Sequence, residues 1–149
     1  MFGFKRDREF EESAQRSFAF IRAGAAPAVR DSIYSPESFG NAALTLRGDF
    51  VQLRVTRDRS QILVDVAPRW CDEWYDEDLV LQLVGATDDA RVLAGARSSM
   101  DVAAESLERN LAEIIDRFSK SRWDDTKADL QALARLRAFQ EFGVVPPRE

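Results

Sequence analysis

The residues best equipped for chemistry lie in one stretch, Arg69-Trp70-Cys71-Asp72-Glu73-Trp74-Tyr75-Asp76-Glu77-Asp78. Its carboxylates could ligate Mg²⁺ or Ca²⁺ through oxygen, but the spacing lacks the glycine and closing glutamate of an EF-hand loop. Helix capping and a solvated acidic face account for the same residues. Cys71 is the only cysteine, and the chain contains no histidine to activate it. Without imidazole, Ser-His and Cys-His nucleophiles, histidine general bases and histidine-ligated metals are all excluded. Asp125-Thr126-Lys127 echoes the Asp-x-Lys element of metal-dependent nucleases, yet it opens a helix where that element needs a strand. No glycine-rich phosphate loop occurs, because neither Gly85 nor Gly95 is followed by Gly-Lys-Ser/Thr. The expectation is a protein without catalytic residues, cofactor or metal.

The same stretch is better suited to contact. Tryptophan and tyrosine are enriched at interface hot spots, and carboxylates pair with a basic partner. The candidate partner-binding residues are therefore Trp70, Asp72, Glu73, Trp74, Tyr75, Asp76, Glu77 and Asp78. The competing reading is that the tryptophans plug the open end of a core.

Several elements must hold this loop. Upstream, Leu44 and Leu46 alternate with polar residues, Gly48-Asp49 supplies a turn, and Val51, Leu53 and Val55 alternate again. After Asp58-Arg59-Ser60, Ile62, Val64 and Val66 repeat the period of two. This predicts an antiparallel meander over 42–67, with Val29 to Tyr34 as a possible fourth, edge strand. One face is apolar, and the other offers Arg47, Gln52, Arg54, Thr56 and Asp65 to solvent or a partner. The Arg47-Gly48-Asp49 tripeptide is explained by turn geometry alone.

Helices are predicted over 5–23, 76–84, 99–118 and 124–142. In the first, Phe10, Ala14, Phe18 and Ile21 form the buried stripe, with Glu11 and Glu12 off it and Gly24 as its cap. Asp76 caps the second and Gly85 ends it. Ser98 to Asp101 resembles a capping box, and Thr87 to Arg97 reads as a loop. The last helix turns Leu130, Leu133, Leu136 and Phe139 or Phe142 inward, and the short break at 119–122 predicts antiparallel packing on its predecessor. The fold class is α+β: an N-terminal helix, a three- to four-stranded antiparallel meander, then three helices packing on one face, all within a single domain spanning 1–149.

At 149 residues with a formal charge of -5, the chain suits basic partners better than nucleic acid. No apolar run spans a membrane and no secretion signal opens the chain, so a cytoplasmic location is expected.

The run LRVTRDRSQILVDVAP, the Trp74-Tyr75-Asp76 step into an apolar helix and the acidic helix ending near DRFS carry a resemblance across 38–142. They are similar to small bacterial proteins that look like toxin-immunity proteins. The resemblance implies a non-enzymatic inhibitor that binds and blocks a basic bacterial toxin. The alternative is a small adaptor or secretion chaperone, usually a homodimer, that holds a client on a sheet edge or apolar helix face.

Overall fold

A computed structural model describes residues 7–35, 40–86 and 100–143. The expected loop at 87–97 and the start of the expected capping box at Ser98 lie outside those residues.

Five strands form one antiparallel sheet in sequence order: β1 (Ala28–Ser35), β2 (Asn41–Arg47), β3 (Val51–Asp58), β4 (Gln61–Pro68) and β5 (Tyr75–Asp76). The possible fourth strand is present as the edge strand β1. The two-residue β5 was not anticipated, since so short a strand carries no alternation to read. Leu44 pairs with Val55 and Val55 with Val64, while Leu46 pairs with Leu53 and Leu53 with Val66. These side chains share one face and are almost wholly buried.

That face is covered by α1 (Arg8–Ser17), a 3-10 turn (Ala19–Ile21), α2 (Glu77–Leu83), α3 (Met100–Arg117) and α4 (Trp123–Phe142). Helix and sheet side chains form one core cluster. The α+β arrangement with helices on one sheet face therefore holds.

Four details differ from expectation. First, the N-terminal helix is shorter than 5–23. Asp7 caps it by accepting the Phe10 N–H at 3.0 Å, and the α-helix ends at Ser17. The chain then tightens into the 3-10 turn, which brings the Ile21 carbonyl to the Asp49 N–H at 2.9 Å. Gly24 has φ +73 but follows the 3-10 turn and caps no helix. Second, Glu11 is not on the solvent side. It is 4% exposed and accepts the Ser32 hydroxyl at 2.7 Å.

Third, α4 packs chiefly against α2 and not along α3. Thr126 is fully buried and donates its hydroxyl to the Arg117 carbonyl at 2.6 Å, which fixes the corner. Leu130 is buried, but Leu136 and Phe139 are about half exposed. A 20-residue helix is about 30 Å long and outruns the core it starts in. Fourth, Gln52 is not offered to solvent: it is 1% exposed, because its amide is bonded under the segment that follows β4.

Arg57 is a strand residue on the helix-covered face. It donates to the Gly40 carbonyl at 2.7 Å and to Asp7 at 2.6 Å, and lies 4.8 Å from the Phe10 ring centroid. Its guanidinium holds the Asp7 carboxyl below the usual carboxylate range, helped by the Phe10 N–H. The β3–β4 turn places Arg59 and Ser60 both at positive φ, as a two-residue hairpin of type I′ requires. The Asn41 side chain pins this turn by accepting the Arg59 N–H.

Candidate functional site

Pro68 ends β4, and the chain then crosses the end of the sheet on its way to β5. Two backbone bonds start the crossing: Arg69 N–H to the Phe50 carbonyl at 3.1 Å and Cys71 N–H to the Pro68 carbonyl at 3.4 Å. Beyond this point the side chains divide between the two sides of the sheet.

On the open side, Asp72 takes a bidentate contact from Arg30 at 2.7 and 3.0 Å. The Gln52 amide donates to Asp72 and to the carbonyls of Pro68 and Cys71, while its oxygen accepts from Arg30. The loop thus folds over Gln52 and buries it, which is why a residue placed for solvent becomes a clamp. Arg30 reaches this position because the β1–β2 register shifts between Val29 and Asp31. Such a bulge re-aims a side chain. Trp74 lies under the Arg54 guanidinium, 4.2 Å from its ring centroid. Asp65 is paired in register with Arg54, and burial raises its carboxyl above the ordinary value.

On the helix side the organiser is Trp123, 4% exposed at the start of α4. Its ring meets Trp70, Tyr75 and Phe118 edge-on, at centroid distances of 5.9, 6.1 and 5.1 Å. Its indole N–H donates to Glu73 at 2.9 Å, and Glu73 also pairs with Lys127. Trp70 donates its own indole N–H to the Phe118 carbonyl at 3.1 Å. Burial pushes the Tyr75 hydroxyl up. The Cys71 thiol is likewise raised by burial, which lowers its thiolate fraction and its reactivity.

Asp76 serves two roles. It caps α2 by accepting the Leu79 N–H at 3.0 Å, and it takes a bidentate contact from Arg137 at 3.1 and 2.7 Å. Glu77 and Asp78 follow in the first turn of α2, where carboxylates oppose the helix dipole.

The eight candidate residues are therefore contiguous in sequence but not one surface. Asp72 and Trp74 hold the open side, Trp70, Glu73 and Tyr75 the helix side, and Asp76 to Asp78 the entry to α2. Asp72, Glu73 and Asp76 each answer a different cation of this chain. Among the described residues no group of three or more His, Cys, Asp or Glu is placed to hold a metal ion.

The Arg30 contact, followed by the Gln52 amide, brings the Asp72 carboxyl from 3.8 down to about 2. A carboxyl lowered in the fold stabilises it fully above its unfolded value and loses that contribution as pH falls through the folded one. The difference in urea midpoint between wild type and Arg30→Gln should thus be constant above about pH 5 and close between about pH 4 and 2. A difference unchanged across that acid window would show that Arg30 does not act through Asp72.

Beside this loop lies a groove of about 620 Å³ between the β2–β3 turn, the start of the 69–74 crossing and the α3–α4 corner. Phe50, Trp70, Ile115 and Phe118 supply its apolar surface, and Arg47, Arg69 and Lys120 its cations. Phe50 is 59% exposed and Trp70 40%. Sequence reasoning selected Trp70 but neither Phe50 nor Trp123. A large aromatic at the tip of a tight turn, where polar residues are usual, was the available signal for Phe50.

Compared with known families, curated proteins and solved structures, the chain matches none.

Proposed function

We propose that this protein is a non-enzymatic protein-binding module, an immunity-type inhibitor of a bacterial toxin, and that its partner docks at the Phe50–Trp70 groove. The observation that supports this reading is the pair of exposed aromatics on two immobilised loops. The Phe50 carbonyl accepts the Arg69 N–H, and the Trp70 indole is fixed to the Phe118 carbonyl and the Trp123 ring. Large apolar side chains held out to solvent mark interaction surfaces, and rigid anchors lose little entropy on binding. The carboxylates of the 72–76 segment are engaged internally, so the motive for a basic contact surface there is weakened. The docking surface moves from the acids of the loop to its first tryptophan.

A second reading, the adaptor or chaperone, is favoured by the edge strand β1, where Ile33 is 68% exposed. A client strand could add to that edge.

Phe50→Ser separates these readings, because an exposed turn residue can change with little effect on stability, within about 0.5 kcal/mol. Tagged wild type should capture from its native cell a toxin whose activity it blocks, and Phe50→Ser should weaken that complex by about 30-fold or more. Trp74→Ala, on the opposite side of the sheet, should leave it intact. Full capture by Phe50→Ser, or loss in Ile33→Ser alone, would reject the groove as the docking surface.

A further inference from the structure

Resting on the groove as the docking surface, we infer that its occupant is an acidic segment of a partner protein carrying an apolar anchor side chain. Arg47, Arg69 and Lys120 rim the groove, and none of the three makes an ion pair among the described residues. Lys120 instead faces the Trp70 ring at 5.8 Å. The two carboxylates on the same rim are already engaged: Asp49 accepts the Ala23 N–H at 2.8 Å, and Asp116 is paired with Arg122. The groove therefore carries three cations against two carboxylates, one of which is already paired with Arg122, a local excess of positive charge around an aromatic floor in a chain whose formal charge is -5.

That inversion of local against global charge is selective. A strongly anionic polymer such as single-stranded nucleic acid would find aromatics and cations here, but the acidic body of the protein repels it along its length. A short peptide segment meets only the groove. A cleft of some 620 Å³ accommodates one or two large side chains, so a phenylalanine or leucine flanked by aspartates or glutamates matches both its size and its charge. The carboxylates would meet Arg47 and Arg69, and the apolar side chain would seat between Phe50 and Trp70.

The test uses the full chain, isotope-labelled for NMR, and three probes. One is a hexapeptide of phenylalanine and leucine among aspartates, the second its counterpart with lysines, and the third a short oligothymidylate. The aspartate peptide should shift the Phe50 amide and Trp70 indole resonances and bind about tenfold or more tighter than the lysine peptide. Arg69→Glu with Lys120→Glu should abolish that preference while leaving the unfolding midpoint unchanged. Equal affinity for the two peptides, a preference for the oligonucleotide, no shift at the groove, or an unaltered preference in the double variant would each overturn the inference. If Phe50→Ser loses the cellular partner while Arg69→Glu with Lys120→Glu retains it, the docking surface stands and the acidic occupant falls.

Discussion

Trp123→Ala is expected to destabilise the protein by about 3–5 kcal/mol, the range for emptying a buried tryptophan site. Trp123 is 4% exposed and meets three other aromatic rings. Two of those rings are held back from the void, because Trp70 is fixed by its indole hydrogen bond and Phe118, just past the end of α3, is packed in the core. The variant also deprives Glu73 of its indole donor, leaving Lys127 as its partner among the described residues. Trp123→Phe divides the two contributions: it keeps much of the packing and loses the indole hydrogen bond, and should cost about 1–2 kcal/mol. Urea unfolding followed by far-UV circular dichroism measures both. Losses of equal size would mean that the hydrogen bond, and not the ring cluster, carries the effect. The substitution should reach the groove as well, since Trp70 leans on the Trp123 ring; partner binding should fall even under conditions where Trp123→Ala remains folded.

Gly48→Ala should cost about 1–3 kcal/mol, as overpacking of a tight site does. A Cβ on Gly48 would stand 2.5 Å from the Ile21 carbonyl oxygen and 2.9 Å from both the Ile21 Cβ and the Val51 carbonyl oxygen. The nearest obstacles are main chain, so no rotamer change relieves them. The turn must lift, which breaks the Asp49 N–H bond to Ile21 and the Asp49 carboxylate bond to the Ala23 N–H. Ile21→Ala should not rescue the variant, because it removes neither the carbonyl nor its own Cβ. If Ile21→Ala restores stability, the clash is with the side chain and this account is wrong. Phe50, two residues on, would be displaced with the turn, so groove binding should weaken in parallel.

Gly48 and Asp76 show where reading the sequence works and where it stops. Gly48 was legible as a turn residue, but the reason it must be glycine was not. Gly48 is not among the glycines at positive φ; what requires it is the approach of a carbonyl from 27 residues earlier. The 3-10 turn that delivers that carbonyl has no local signature, since Phe18 and Ile21 continue a helical spacing that the backbone abandons after Ser17. Asp76, by contrast, was legible because capping is local: its carboxylate reaches the Leu79 N–H three residues on. Its second contact, with Arg137, spans 61 residues and left no trace in the local pattern.

What the sequence determined by itself is the meander, the helices and which face of the sheet is apolar. Those follow from periods of two and 3.6 residues and from turn and cap residues, all short-range effects. What only the tertiary structure decided is the fate of each polar and aromatic side chain. The bulge at Arg30 brought a strand residue over Gln52 and Asp72, and the corner at Thr126 put Trp123 beneath Trp70. Carboxylates adjacent in the chain were drawn to separate cations, while Phe50, Arg69 and Lys120 were assembled from three distant segments. Charge and ring contacts act between whichever groups the packing brings together, and sequence distance does not encode that.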